Sequence, residues 1–319
     1  MNEQVTPTAP SQARKDTSAL SKSQNKKTLF LLSLPQPILV LGTMFAVASA
    51  YVYQWFDAEF FTVIMIILPL PLILIAERIW TKRQDWILTP KEFAEDAFWL
   101  ATSGLIWVPF YSNYYKTPIS EGLKGLRDVS PLNFELKPES LLGLILVAII
   151  LRTLIEFIYY WLHRMQHKFL FWWRIHATHH HITKMGAARS DRTHPLEFLA
   201  LMVGSPIILA IAGASDAVIA VSGAFNFMSA YLNHSNLPLR SGFYGLYFTT
   251  AEQHHLHHSY DRDSSDSNFG CTIIIWDRIF GTYSGREDIE KIGAGTGKAL
   301  SILEQYKMAF VCNDKLTKY

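Results

Sequence analysis

The sequence carries little charge for its length. Asp, Glu, Lys and Arg make up 18% of the 319 residues, whereas roughly a quarter is usual for a soluble domain. Apolar residues make up 50%, and 9 Trp, 14 Tyr and 20 Phe contribute to a 13% aromatic share. This balance excludes an intrinsically disordered chain and favours a protein whose solvent is lipid.

Two further shortages exclude other classes of function. The 29 Lys and Arg residues nearly balance the 27 Asp and Glu residues, so the net charge of +2 provides no field for holding a nucleic acid. No nucleic-acid partner is therefore expected. The two cysteines, Cys271 and Cys312, lack the spacing of a disulfide framework or a thiolate metal site.

Long apolar runs predict helices that cross a membrane. Residues 37–56 and 60–76 are almost uninterruptedly apolar, and each is long enough at 1.5 Å per residue to cross about 30 Å of hydrocarbon. Residues 97–115 form a weaker, aromatic-rich run that predicts a third span. Residues 141–162 predict a fourth span.

The fourth predicted span contains two charged residues near its middle, Arg152 and Glu156. A spacing of four residues places both on one helix face, where they can pair. Because an unpaired charge in hydrocarbon is costly, we expect this pair to face protein and not lipid.

The remaining apolar runs and the positive charges predict how the chain lies in the membrane. Residues 198–212 and 217–231 predict a helical hairpin that enters and leaves from one side. The basic tail at 1–28 and the basic segment at 77–91 lie two spans apart, and both belong on the cytoplasmic side by the positive-inside rule. Two further spans return the chain to the cytoplasmic face at His163.

Histidine is confined to one window of the sequence. All 12 histidines lie between His163 and His258, and spacings of three and four residues let the members of a group share one helix face. The candidate groups are His163 and His167; His176, His179 and His180; His234 alone; and His254, His257 and His258.

These groups predict a metal centre. Neutral imidazole is the commonest protein ligand for zinc, iron, copper and nickel, and nine imidazoles exceed what one ion of four to six coordination sites accepts. Two metal ions are therefore expected. A purely structural role is disfavoured, because closely packed imidazoles without metal suppress each other's protonation and leave ring nitrogens unsatisfied.

Other residues near these groups are expected to support the ligands. Carboxylates can hold the ring tautomers of metal-bound histidines. For His194 a ligand role also stays open, whereas extra members of the groups are expected to lie outside the ligand shell. The predicted supporting residues are His181, His194, His255, Asp191, Glu197, Asp261, Asp263 and Asp266.

Seven short motifs follow one another in the second half of the chain: HRMQH at 163–167, HATHH at 176–180, THPLE at 193–197, NHSN at 233–236, HHLHH at 254–258, NFG at 268–270 and WDRIFGTY at 276–283. Their order and spacing resemble one known superfamily, the fatty acid hydroxylases and sterol desaturases. His176 follows His167 by only nine positions, which favours this superfamily over the acyl-chain desaturases. The resemblance covers about residues 140–285.

The resemblance implies a membrane-embedded di-iron oxygenase. It implies O₂ as co-substrate and hydroxylation, or less favoured desaturation, of an unactivated C–H bond in a fatty acyl chain, sterol or ether lipid. It also implies two iron ions, for which zinc is a possible substitute. The implied ligands are His163, His167, His176, His179, His180, His234, His254, His257 and His258.

One position departs from the pattern of the superfamily. Some members carry a histidine four residues before the counterpart of His234, whereas this chain has Ala230 there. The geometry of one coordination site is therefore left open by the sequence.

The chain has no dinucleotide fingerprint and no haem-binding domain, so electrons are expected from a separate donor, a ferredoxin or a b-type cytochrome with its reductase. The expected location is a bacterial inner membrane, or the endoplasmic reticulum membrane of a eukaryote, with the N-terminus and the histidines cytoplasmic. Two alternatives stay open: a membrane protein that transports or buffers metal, and a bis-histidine haem protein.

The predicted fold is an all-α integral membrane protein with about four transmembrane helices, a membrane-associated helical hairpin and a cytoplasmic histidine-rich catalytic cap. The predicted divisions are a flexible basic tail at 1–28, a transmembrane region at 29–139, a hydroxylase-like catalytic domain at 140–285 and a C-terminal cytoplasmic tail at 286–319.

Overall fold

The computed structural model describes residues 25–131, 133–287 and 289–311. Most of the predicted N-terminal tail and the last eight residues, among them Cys312, therefore lie outside the described residues. Within the described ranges the chain is helical and contains isolated β-bridges but no strand. The prediction of an all-α protein is confirmed.

The helices and short turns alternate along the chain. The α-helices are α1 (Pro35–Tyr53), α2 (Ala58–Ile67), α3 (Pro69–Ile79), α4 (Pro90–Thr102), α5 (Val108–Tyr111), α6 (Thr117–Asp128), α7 (Leu141–Lys168), α8 (Leu170–His180), α9 (Pro195–Leu201), α10 (Gly204–Ile211), α11 (Asp216–His234), α12 (Ala251–His257), α13 (Arg262–Ser265), α14 (Ile275–Phe280) and α15 (Ile302–Met308). The 3₁₀ turns are Gln84–Trp86, Ala187–Asp191 and Tyr244–Leu246, and the π turns are Ser103–Trp107 and Ser112–Lys116.

Three helices in the described ranges are long and apolar enough to cross a membrane: Asn25–Tyr53, Ala58–Ile79 and Leu141–Lys168. They coincide with three of the four predicted spans. The other predicted span, residues 97–115, lies in a helical run over residues 90–128 that two π turns interrupt. A membrane-spanning role for this run stays a prediction.

The two arms of the predicted hairpin are helical, with α9 and α10 on one side of the turn and α11 on the other, and its entry and exit from one side of a membrane stay a prediction. Gly213 turns the chain between the arms with φ +61°, and a Cβ there would lie 2.3 Å from the carbonyl oxygen of Phe134. Only glycine fits this turn. Helix α11 then runs through the core, where it packs against α1, α2, α7 and α12. His234 at its end is thereby held in the interior.

Arg152 and Glu156 pair inside the protein, as predicted. Arg152 Nη2 donates to Glu156 Oε2 at 2.9 Å, and both side chains are buried. Glu156 also accepts from the backbone N–H of Thr272 at 2.9 Å and from its hydroxyl at 2.7 Å. The pair therefore anchors the loop that follows Ser267 to α7.

The segment predicted as a C-terminal tail folds back on the histidine-bearing helix α8. Met308 packs in a small apolar cluster with Ala177 and Leu300. Tyr306 stacks on Trp99 with ring centroids 4.8 Å apart. Helix α15 thus covers α8 from one side.

Candidate metal centre

Helix ends and short helices carry the histidines. His163 and His167 occupy the last turns of α7, and Phe169 then breaks the helix with an extended backbone before α8 begins. Helix α11 ends at His234. The remaining predicted ligands lie on α8 and on α12 with its C-terminal cap.

The nine histidines predicted as ligands form two groups in the interior. Within each group one ring nitrogen of every member lies within 4.8 Å of the others. The five-histidine group is His163, His167, His176, His180 and His257. The four-histidine group is His179, His234, His254 and His258. The groups touch, since the His180 and His258 rings stack with centroids 4.6 Å apart.

In the five-histidine group the Nε2 atoms face one another. His163 Nε2 lies 2.8 Å from His176 Nε2 and 3.1 Å from His257 Nε2. His180 Nε2 lies 3.0 Å from His176 Nε2 and 3.2 Å from His167 Nε2. All five rings therefore present the same atom to a common centre.

The four-histidine group has the same arrangement. His234 Nε2 lies 3.0 Å from His254 Nε2 and 3.3 Å from His179 Nε2. His258 Nε2 lies 3.2 Å from His254 Nε2. The backbone carbonyl of Ala230 accepts from His234 Nδ1 at 2.8 Å, at the position where some members of the superfamily carry a histidine.

Backbone carbonyls fix the tautomer of several rings. His163 Nδ1 donates to the carbonyl oxygen of Phe269 at 2.6 Å, and His257 Nδ1 donates to that of Ser267 at 2.8 Å. A carbonyl only accepts, so the proton must reside on Nδ1 and the lone pair on Nε2. The lone pair of each of these rings then points into its group.

Two carboxylates act in the same way on the five-histidine group. His176 Nδ1 donates to Glu197 Oε1 at 2.5 Å, with both side chains buried. His167 Nδ1 donates to Asp266 Oδ1 at 3.1 Å, and the Asp266 side chain is 41% exposed. Both carboxylates were among the predicted supporting residues. Asp266 is the point where this group approaches the surface.

The electrostatics of the groups favour cations. Burial lowers the pKa of His176 to about 3 and that of His179 to about 4, so the rings are neutral near pH 7. Where the proton lies on Nδ1, as in His163 and His257, the facing Nε2 lone pairs repel and neither nitrogen can donate to the other. A bound metal ion removes this repulsion, and nitrogen from imidazole suits iron and zinc. The residues therefore fit a two-ion centre.

Three histidines lie outside the two groups. His194 caps α9, because its Nδ1 accepts from the backbone N–H of Leu196 at 3.2 Å. His255 Nδ1 lies 3.3 Å from Lys82 Nζ. His181 is buried, and neither of its ring nitrogens has a partner among the described residues.

Not every predicted supporting carboxylate meets an imidazole. Asp261 is turned to the surface, where it accepts from the Ser264 hydroxyl at 2.6 Å. Asp191 makes no ion pair with any histidine in the described part of the chain, and Asp263 is exposed. Of the aspartates at positions 261, 263 and 266, Asp266 is the one that contacts a histidine of the two groups, His167.

Two buried carboxylates that hold backbone segments in place were not predicted from the sequence. Asp277 accepts from the backbone N–H groups of Phe269 and Gly270, each at 2.8 Å, and so fixes the loop whose carbonyl orients His163. Glu77 Oε1 accepts from the N–H groups of Ala187 and Asn236 at 2.9 and 2.8 Å. Asp277 lies in the WDRIFGTY motif, which was a signal for it, whereas nothing in the sequence marked Glu77.

Comparisons with known proteins find one matching family and several related enzymes. Residues 146–282 match the family described as fatty acid hydroxylase. An ornithine lipid hydroxylase from Rhizobium tropici is 26% identical over 247 residues, which are 76% of this chain and 71% of the relative. No solved structure matches the chain.

Other relatives align over about half of this chain. Alkylglycerol monooxygenase from Homo sapiens is 31% identical over 157 residues, which are 49% of this chain and 34% of that protein. A very-long-chain aldehyde decarbonylase from Oryza sativa is 28% identical over 164 residues, 46% of this chain and 24% of the relative. Residues 146–282 thus match the fatty acid hydroxylase family, and the relatives that align with this chain are named as lipid-modifying enzymes.

Proposed function

We propose that this protein is a membrane-embedded oxygenase that holds two iron ions in its histidine groups and hydroxylates a lipid. The observation that carries the proposal is the convergence of nine buried Nε2 atoms in two adjoining groups. One ion would be held by the five-histidine group and the other by the four-histidine group. When bound, iron supplies reductive activation of O₂ and oxidation of an unactivated C–H bond.

The protein's own residues would prepare this chemistry. Phe269, Ser267 and Glu197 hold Nδ1 protons, so that the opposing nitrogens are free to bind a cation. Burial of the rings excludes water from the centre, which protects a strong oxidant from side reactions.

The relatives favour one kind of lipid and one kind of reaction. Their names describe hydroxylation of an ornithine lipid and oxygenation of an alkylglycerol. We therefore place an acyl or ether lipid before a sterol, and hydroxylation before desaturation. The predicted cytoplasmic orientation of the centre and a separate electron donor complete the proposal.

Metal transport or buffering is the less favoured function. A transport path would distribute ionisable ligands through several spans near mid-membrane. Here the candidate ligands converge at helix ends in two adjoining groups. A bis-histidine haem is disfavoured as well, because Nε2 atoms 2.8 to 3.3 Å apart leave no slot for a macrocycle.

Comparative lipid mass spectrometry tests the proposal. Cells with the gene should contain a lipid that has gained one oxygen atom, and cells without it, or with His176→Ala, should lack that lipid. A loss of two hydrogens would identify desaturation instead. Purified protein should bind about two iron atoms per chain and consume O₂ only with a reductant.

Two results would contradict the proposal. A zinc-filled, iron-free preparation with undiminished lipid oxidation would refute the redox assignment. A lipidome that is unchanged by the gene during aerobic growth would favour metal handling.

A further inference from the structure

One stretch of the chain, residues 184–197, contacts a histidine of each group. The carbonyl oxygen of Arg192 accepts from Nδ1 of His179, a member of the four-histidine group, at 3.3 Å. Further along the same stretch, Glu197 accepts from Nδ1 of His176 in the five-histidine group. The position of this stretch, called here the connecting segment, therefore affects the rings of both groups.

A carboxylate on α4 holds the connecting segment from outside the region that matches the hydroxylase family. Asp96 is completely buried. Its Oδ1 accepts from Arg192 Nε at 2.5 Å, and its Oδ2 accepts from Arg189 Nε at 3.2 Å. Both arginine side chains are 3% exposed, so one buried carboxylate neutralises two buried guanidinium groups in part.

The other ion pairs between α4 and the connecting segment lie closer to solvent. Glu95 Oε2 lies 3.4 Å from Arg192 Nη2, and the Glu95 side chain is 22% exposed. Glu92 Oε2 lies 2.8 Å from Lys184 Nζ, and the Glu92 side chain is 21% exposed. Spacings of three and four residues place these two glutamates and Asp96 on one face of α4. Asp96 is the buried member of this face.

Neutralising Asp96 would change the position of Arg192. A buried guanidinium that loses its carboxylate is strongly destabilised, so it moves toward another acceptor or toward water. The remaining carboxylate partner of Arg192 is Glu95, nearer the surface. Because the carbonyl oxygen of Arg192 accepts from His179, this movement would reach the four-histidine group directly.

The five-histidine group is shielded from the same movement. Helix α9 begins between Arg192 and Glu197, and His194 Nδ1 caps it by accepting from the backbone N–H of Leu196 at 3.2 Å. The other ring nitrogen of His194 donates to the carbonyl oxygen of Tyr306 at 3.2 Å. Two fixed contacts therefore separate Arg192 from the carboxylate that holds His176.

We propose that Asp96 is a positioning residue of the metal centre. Through Arg192 it holds the carbonyl oxygen that orients His179, so it supports the ion of the four-histidine group more than the ion of the five-histidine group. The inference rests on the two-ion centre of the proposed function. It follows that the region 146–282 depends on a side chain of α4, which precedes it, for full metal binding.

Zinc affinity measured in two backgrounds tests this selectivity, because an imidazole shell also accepts zinc. His163→Ala with His257→Ala disables the five-histidine group, and His234→Ala with His254→Ala disables the four-histidine group. The tighter ion of each background is then that of the intact group. The full chain in nanodiscs is titrated with Zn²⁺ in competition with a fluorescent chelator.

Asp96→Asn should weaken zinc binding in one background only. Where the four-histidine group is intact, we expect a loss of about tenfold, as for other residues that orient metal-bound imidazoles. Where the five-histidine group is intact, the affinity should change by less than about twofold, because the capped start of α9 isolates Glu197. Asp96→Glu keeps the charge and should bind zinc more tightly than Asp96→Asn.

Two substitutions on the same face of α4 serve as a graded variant and a control. Glu95→Gln removes the more exposed partner of Arg192, so it should weaken zinc binding to the intact four-histidine group by about two- to fivefold. Glu92→Gln breaks the ion pair with Lys184, at the other end of the connecting segment. It should leave the zinc affinities of both backgrounds unchanged.

A purely structural role for Asp96 predicts a different result. The Tm would then fall in Asp96→Asn, while the zinc affinities of the folded protein would stay the same or fall equally in the two backgrounds. Either pattern overturns the proposal. If Asp96→Asn does not fold, the comparison of Glu95→Gln with Glu92→Gln decides, and equal zinc affinities for these two variants would overturn it.

Failure of this inference is distinguishable from failure of the proposed function. An iron-loaded wild type that hydroxylates lipid, together with no selective zinc loss in Asp96→Asn, refutes the inference alone. A selective loss in a protein that binds two ions but oxidises no lipid refutes the oxygenase assignment alone. A wild type that binds no zinc in either group contradicts both.

Discussion

Glu197→Gln should weaken iron binding at the five-histidine group more than Asp266→Asn, although both substitutions neutralise a carboxylate that holds an imidazole. Glu197 Oε1 lies 2.5 Å from His176 Nδ1, and the two side chains are 2% and 1% exposed. Asp266 Oδ1 lies 3.1 Å from His167 Nδ1, and its side chain is 41% exposed. Water competes with the second contact but not with the first.

The burial of the two contacts sets the expected magnitudes. A buried hydrogen bond to a charged group contributes about 1.5–3 kcal/mol and one between neutral groups about 0.5–1.5 kcal/mol, so Glu197→Gln, which keeps the hydrogen bond, should cost about 1–1.5 kcal/mol, or about a 5- to 13-fold change in affinity. An exposed interaction of this kind contributes about 0–1 kcal/mol, or less than about sixfold. We therefore expect a loss of about tenfold for Glu197→Gln and at most a few-fold loss for Asp266→Asn.

Competition with a chelator in detergent solution measures these affinities for iron. Both substitutions keep an amide oxygen that accepts from Nδ1, so the ring tautomers and the fold should persist. Thermal unfolding of the metal-free variants is the control. Equal losses for the two variants, or a larger loss for Asp266→Asn, would refute the argument from burial.

Three further predictions follow from the contacts around the centre. Asp277→Ala leaves the backbone N–H groups of Phe269 and Gly270 unpaired, so denaturant titration should show about 2–4 kcal/mol less free energy of unfolding; an unchanged value would contradict this role. Glu77→Ala should lower the Tm, whereas Glu77→Gln should not, because the amide keeps an oxygen that can accept from the N–H groups of Ala187 and Asn236. Equal changes in Tm for the two variants would contradict a role for these hydrogen bonds. The free energy of unfolding of the metal-free protein should decrease as the pH falls from about 6.5 toward 4. Burial lowers the pKa of His176 to about 3 in the folded protein, so the imidazole takes up a proton in the unfolded chain first. A free energy of unfolding that does not change over this pH range would contradict the prediction.

The sequence predicted much of this protein because hydrophobic length and imidazole spacing are local properties. Three helices long and apolar enough to cross a membrane, the all-helical fold of the described residues and the buried pair of Arg152 and Glu156 all follow from residues that lie close together in sequence. The resemblance to the hydroxylases likewise depends on short motifs. It is confirmed by the match over residues 146–282.

The division of the histidines between two groups was not available from the sequence. His176 and His180 join one group, whereas His179 between them joins the other. Each helical residue turns by about 100°, so rings four residues apart nearly align while the third-residue ring points elsewhere. The packing of α8 against α7, α11 and α12 decides which side of α8 faces the five-histidine group and which side faces the four-histidine group.

Composition and motif spacing by themselves determined that this chain enters a membrane and carries enough imidazole for two ions. Tertiary structure decided the partners of those imidazoles: the carbonyl oxygen of Phe269, the buried Glu197 and the partly exposed Asp266. The physical reason is that a backbone carbonyl has no identity in the sequence, and a carboxylate acquires its role only from the groups that folding brings to it.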